Sequence, residues 1–184
     1  MKVNRAVVIG VVALILVIVG WWLFRRSSQG GAVDLLAKFD QAQKKPEAGA
    51  FDLVDATLNG ETRKSIAPRP SAGTRLTWHL QIPDDGWLRV NLGLKPEAWT
   101  QEGDGVLFMV GVSDGRSFEA LFSQYVNPYG NTADRRWIPV MVDLSAYGGE
   151  EVDLIFNTFA SQPGKPSDER NDFALWGTPE IVIR

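Results

Sequence analysis

The 184-residue chain has no cysteine. Disulfides, thiolate metal sites and cysteine nucleophiles are therefore excluded, although this absence does not assign a redox compartment. Histidine is almost as scarce. The single one, His79, rules out a two-histidine metal site within the chain. It lies in Leu76-Thr77-Trp78-His79-Leu80, where strand alternation gives it the face of Thr77 and gives Trp78 and Leu80 the other, the placement of a structural residue. No G-x-S-x-G elbow, phosphate-cradling glycine loop or regularly spaced aspartate loop for calcium is present. Asp104, Asp114, Glu119, Asp134 and Asp172 are enough carboxylates to pair for glycoside hydrolysis, but an acidic β protein offers such pairs by chance, and they read as solvated turn residues. The expectation is a protein that is not an enzyme and carries no metal or other cofactor.

Acidic residues are also absent from the first 31 positions, which hold four of the 19 Lys and Arg and none of the 22 Asp and Glu, leaving a net charge of −7 on the rest. A domain of that sign repels nucleic acid and anionic headgroups on average, so nucleic acid is not an expected partner. What the first segment does contain is Ala6 to Phe24, 19 residues without charge or proline. At about 1.5 Å per residue a helix of that length reaches the hydrocarbon thickness of a bilayer. The run ends in Trp21-Trp22-Leu23-Phe24-Arg25-Arg26, a poor cleavage site but a good interfacial anchor, with Trp21, Trp22, Arg25 and Arg26 at the membrane surface. Residues 1–26 are thus expected to be an uncleaved single-pass anchor of the cell (inner) membrane. The short basic start, Lys2 and Arg5, places the N-terminus in the cytoplasm and the following domain on the periplasmic side.

Ser27-Ser28-Gln29-Gly30-Gly31 reads as a flexible linker. In the stretch from Ala32 to Lys45, Val33, Leu36, Ala37 and Phe39 recur near helical spacing ahead of Pro46, which predicts a short amphipathic helix, so that residues 27–50 form a linker-and-helix segment. From residue 51 the pattern becomes short apolar or alternating runs broken by Asn59-Gly60, Pro83-Asp84-Asp85-Gly86, Asp114-Gly115 and Gly148-Gly149. Strands are predicted near 51–58, 75–82, 86–94, 105–113, 136–143, 151–159 and 173–183. Without crossover helices these make a mainly β domain over 51–184, a two-sheet antiparallel sandwich of jelly-roll type.

The segments Gly86-Trp87-Leu88-Arg89-Val90-Asn91-Leu92-Gly93-Leu94, Asp104 to Val112, Arg136-Trp137-Ile138-Pro139-Val140 with Val142-Asp143-Leu144-Ser145, and Trp176-Gly177-Thr178-Pro179-Glu180-Ile181 resemble the galactose-binding-like and glycosidase-accessory jelly rolls. The resemblance implies their fold over about residues 51–184. For function it implies less, because such modules bind sugars, mediate adhesion or simply pack.

Seven tryptophans are many for this length, and the ring suits both sugar stacking and protein interfaces. Trp78, Trp87 and Trp137 fall in predicted strands and read as core. Trp99 follows a Pro turn, and Tyr125, Tyr129 and Arg135 lie in or beside the long loop from Val126 to Arg136. These four are the candidate interaction residues, since function concentrates in such loops. A second irregular stretch, Ser161 to Asn171, reads as a plain connection. The main functional expectation is a non-catalytic accessory subunit of a larger respiratory, photosynthetic or transport complex in the membrane, its partners being other membrane-protein subunits and the bilayer. Gly10, Ala13 and Gly20 supply a partial small-residue pattern for helix packing in the span. The alternative is a membrane-tethered carbohydrate-binding module with a glycan partner.

Overall fold

A computed structural model describes residues 32–47, 49–69, 73–160, 164–166 and 168–184. The chain divides into two units, Met1–Gly31 and Ala32–Arg184. The predicted span over 6–24, with Trp21, Trp22, Arg25 and Arg26, lies outside the described residues; among those described, no helix is long and apolar enough to cross a membrane.

The second unit is a two-sheet antiparallel β-sandwich. In chain order its strands are β1 (Val33–Asp34), β2 (Gln43–Lys45), β3 (Phe51–Leu58), β4 (Glu61–Pro68), β5 (Thr74–Gln81), β6 (Gly86–Leu94), β7 (Val106–Ser113), β8 (Phe118–Val126), β9 (Ile138–Asp143), β10 (Glu151–Phe159) and β11 (Ala174–Ile183). One sheet runs β3-β4-β11-β6-β9, with β1 also on β11; the other runs β2-β5-β10-β7-β8. The bounds of β3, β6 and β10 are those the sequence pattern predicts, and β5, β7 and β11 begin one residue away. Four strands escaped it: β1 and β2, in the segment expected to be helical, and β4 and β8.

The helix expected over 32–45 does not form. Asp34 turns the chain instead, its carboxylate accepting from the backbone N–H of Leu36 at 2.8 Å and of Ala37 at 3.1 Å. A short 3₁₀ turn at Phe39–Gln41 follows, and the segment bridges the sandwich: β1 pairs with β11 in one sheet and β2 with β5 in the other. Leu35, Phe39 and Ala42 enter the core. Helix-like spacing thus came from a chain crossing the open side of the sandwich and dropping an apolar side chain inward at intervals. The sandwich consequently begins at Val33, not at residue 51.

Alternation drives one face of each strand inward. Trp78, Phe108 and Phe156 from the second sheet meet Trp176 from the first, with Phe108–Trp176, Phe156–Trp176 and Trp78–Phe156 centroids 4.9, 4.5 and 5.0 Å apart. The indole nitrogens are satisfied as burial demands: Trp176 Nε1 donates to Thr158 Oγ1 at 3.0 Å and Trp78 Nε1 to the Lys38 carbonyl at 3.2 Å.

The outer face of the first sheet carries a smaller apolar cluster of Ala56, Leu58, Ala67, Trp137 and Leu175. Trp137 lies there because glycine leaves room for it. A Cβ on Gly177 would stand 2.8 Å from Trp137 Cζ3, and one on Gly93 would stand 2.4 Å from Leu58 Cδ1. Trp87, read as core from sequence, is half-buried on this face beneath the Arg184 guanidinium, 4.8 Å from the ring centroid.

Because residues 32–49 supply Leu35, Phe39, Ala42 and the acceptor for Trp78, they belong to the folding unit. Urea unfolding of the fragment 50–184 should show a clearly lower midpoint than that of 32–184, and Leu35→Ala alone should lower stability by about 2–5 kcal/mol. Equal midpoints would mean that the segment is only attached to the sandwich.

Candidate functional site

Antiparallel pairing places the loops 95–105 and 127–137 at one end of the sandwich, beyond the last residues of β6 and β8, together with residues 168–173 ahead of β11. Of the four candidate residues, the structure joins Trp99 and Arg135 directly. Arg135 donates through Nε to the Pro128 carbonyl and through Nη2 to the Trp99 carbonyl, both at 2.9 Å. Trp99 is half-buried against the outer apolar cluster, and its indole N–H donates to the Leu94 carbonyl at 3.0 Å. Tyr125 is half-buried near the end of β8, and desolvation raises its phenol above the ordinary value. Two of the four, Trp99 and Arg135, are therefore engaged in holding the loops. Tyr129, 46% exposed, alone keeps an open ring.

The same end holds two carboxylates in poor surroundings. Asp172 is 6% exposed, and neither of its oxygens has a hydrogen-bond partner among the described residues; Asp104 Oδ1 is likewise buried and unpartnered. Burial, followed by the charges of Asp104, Asp168 and Glu169, pushes Asp172 up to about 8. Asp104 is raised as well, by burial and then by Asp168. Among the described residues no group of three or more His, Asp or Glu is placed to hold a metal ion. Asp134, by contrast, is a loop fastener, accepting from the Asn127 backbone N–H at 2.9 Å and from the Asn131 amide at 3.0 Å.

A different surface presents itself on the outer face of the sheet β2-β5-β10-β7-β8. Leu76, Trp78, Leu154, Phe156, Phe108 and Val110 point inward, so their neighbours Arg75, Thr77, His79, Asp153, Ile155, Asn157, Met109 and Gly111 point outward. His79 Nδ1 lies 2.9 Å from Asp153 Oδ1, and Arg75 Nε donates to Asn157 Oδ1 at 2.9 Å. His79 is thus a surface residue of this face with a cross-strand partner.

Phe118, at the start of β8, is 48% exposed and lies against Gly111. Its Cε2 and Cζ atoms stand 2.4 Å from where a Cβ of residue 111 would be, so the ring fills the space that the missing side chain leaves. A register shift between Val110 and Gly111 in the β7–β8 pairing sets this approach. Reading the sequence for loops missed Phe118. The available signal was the Asp114-Gly115 turn, which ends one strand and requires another after it.

No family model matches the chain. An uncharacterized protein of Archaeoglobus fulgidus is 42% identical over 103 residues, which are 55% of this chain and 25% of that protein. The chain thus spans about a quarter of the length of the curated relative it matches. Among solved structures, the M60 catalytic domain with two CBM51 domains of ZmpB from Clostridium perfringens superimposes with a TM-score of 0.54 at 16% identity, over 77% of this chain and 14% of that one. TmCBM61, solved in complex with β-1,4-galactotriose, gives 0.51 at 11% identity, over 79% and 90% of the two chains. At such identities the likeness establishes the fold, and it bears out the two-sheet sandwich read from the sequence.

The raised Asp172 gives the fold a definite pH response. Its proton is held more tightly in the folded than in the unfolded chain, so the stability it contributes is complete below its ordinary value of 3.8 and is lost as pH rises through about 8. Asp172→Asn should therefore flatten the fall in Tm between about pH 4 and 8, as read by scanning calorimetry. Parallel curves for the two proteins would assign that pH dependence elsewhere.

Proposed function

We propose that residues 32–184 form a non-catalytic carbohydrate-binding module whose glycan lies across the outer face of the β2-β5-β10-β7-β8 sheet. The observation that carries this reading is Phe118. It is an aromatic ring seated in the gap at Gly111, half open to solvent, on a sheet face that also carries the polar pairs His79–Asp153 and Arg75–Asn157. Sugar recognition asks for that combination: an apolar plate for the C–H face of a pyranose and fixed donors and acceptors at its rim for the hydroxyls. A flat, partly polar surface needs no deep cavity, which suits a polymer better than a small molecule.

The sandwich likeness supports the same reading, since the solved structures above include carbohydrate-binding modules and one is held with a galactose trimer. Of the two functions weighed from the sequence, it favours the carbohydrate module over the accessory subunit. In this proposal the 6–24 span and the linker tether the module to the cell membrane, with the module on the extracytoplasmic side, so that the protein holds a glycan close to the bilayer.

Binding measured by calorimetry against the glycans selected on an array tests the assignment. Phe118→Ala should weaken binding at least about tenfold, the worth of one stacked ring of roughly 1.4 kcal/mol. Gly111→Ala should weaken it too by pushing the ring off its seat. Tyr129→Ala and Trp99→Phe should leave affinity nearly unchanged. The reverse pattern would move the site to the loop end.

A further inference from the structure

The sheet face described above has a basic corner without an acidic counterpart. β2 pairs with β5 so that Lys45 stands directly opposite Arg75. Leu76 points into the core and Lys44, beside it, turns its ammonium onto the Phe39 carbonyl at 2.7 Å, so Lys45 and Arg75 both face outward, and both are exposed. Residues opposite each other in an antiparallel pair have Cβ atoms about 5 Å apart, and like charges at that distance repel. The described residues form ion pairs at Arg63–Glu61, Arg69–Asp52, Arg89–Glu180 and Arg170–Asp168 and a His79–Asp153 contact, none of which involves Lys45 or Arg75. In a domain with seven more acidic than basic residues, two adjacent cations are thus without a carboxylate partner among the described residues.

The arginine of the pair is also held in place. Asn157 is 4% exposed, and its Oδ1 accepts from Arg75 Nε at 2.9 Å, which fixes the root of the guanidinium and leaves both terminal nitrogens without a protein partner among the described residues. The Asn157 amide nitrogen likewise has no protein acceptor there. A guanidinium held by Nε presents its outer two N–H groups as a fork, the geometry that matches two oxygens of one anion. The acidic residues that β10 gives this face stand away from the corner: Asp153 is engaged by His79 about 13 Å from Arg75 along the strand direction, and Glu151 lies two residues farther.

We propose that the glycan bound on this face is anionic, with a carboxylate or sulfate group held between Lys45 and Arg75 while a neighbouring ring lies on Phe118. The inference rests on the module reading and names its ligand class. Its geometry is compatible with a polymer. Phe118 sits over β7, two strands from Arg75 on β5, so the two contacts lie about 10 Å apart across the sheet, a span of more than one sugar unit.

The test uses the full chain in detergent on an array of matched neutral, uronic-acid-bearing and sulfated polysaccharides. Binding to acidic glycans, weakened at least tenfold by Lys45→Gln with Arg75→Gln and by 0.5 M salt, and weakened by Phe118→Ala, is the expected result. Arg75→Lys should restore only part of it, because the charge returns without the fork. Binding to neutral glycans that Phe118→Ala removes and the two basic substitutions leave intact would overturn the anionic ligand but keep the module. Binding to every polyanion, DNA included, regardless of Phe118 would reduce the corner to unspecific charge and overturn the inference. No glycan bound at all would overturn both. Arg75→Gln removes the hydrogen bond to Asn157, whereas Lys45→Gln alone touches none among the described residues, so weakened acidic-glycan binding by Lys45→Gln alone separates loss of the corner from loss of folding.

Discussion

The contact on which the structure depends is the one between Trp176 and the aromatic residues of the opposite sheet. Phe108, Phe156 and Trp78 come from three adjacent strands, β7, β10 and β5, and Trp176 reaches two of them from β11. Aromatic pairs of this kind add about 0.5–1.5 kcal/mol each beyond the area they bury. Their greater effect is on register. Shifting β5, β7 or β10 by one residue would send its ring to solvent, so the cluster fixes which residues of those strands face out. Trp176 Nε1 to Thr158 and Trp78 Nε1 to Lys38 tie the same cluster to β10 and to the crossing segment. The outward display of Arg75, Asn157, His79, Asp153 and Gly111 is therefore set from within.

The other sheet solves a different problem. Its central strand, β11, pairs with β6 along one side throughout, but on its other side it pairs first with β4, at Trp176 and Gly177, and then with β1, at Glu180 and Ile181. The irregularity between Gly177 and Glu180 is where the partner changes, and there Thr178 takes φ of 41°, a conformation rarely adopted by a β-branched residue. Asn91 and Arg63 both donate to the Thr178 hydroxyl, at 3.2 and 3.4 Å, and hold the kink. Pro179 adds an acceptor, its carbonyl taking the Leu35 N–H at 3.1 Å. The kink lets the N-terminal segment enter the sheet. Position 33 is thus fixed to the sandwich.

Strands with a buried, alternating face were legible, which is why β3, β6 and β10 have the expected bounds. β4 was not, because Glu61-Thr62-Arg63-Lys64 has no apolar alternation; its first half is ordered by hairpin pairing with β3 through the Asn59-Gly60 turn. β8 was missed because it is an edge strand with a register shift, its apolar residues split between faces. The helix over 32–45 was a misreading of inward spacing that a chain crossing between sheets produces equally well. At the site, sequence picked out aromatics in loops. Trp99 and Arg135 turned out to be bonded to the backbone, whereas Phe118 depends on a glycine of another strand, a relation visible only once β7 and β8 are paired.

The central claim is that ligand lies on the sheet face rather than at the loop end. Hydrogen exchange of the full chain, free and saturated with a glycan chosen on the array, separates the two directly. The account predicts new protection in peptides covering β2, β5 and β7–β8, with residues 127–137 unchanged. Protection confined to 95–105 and 127–137, with the sheet unaffected, would contradict it.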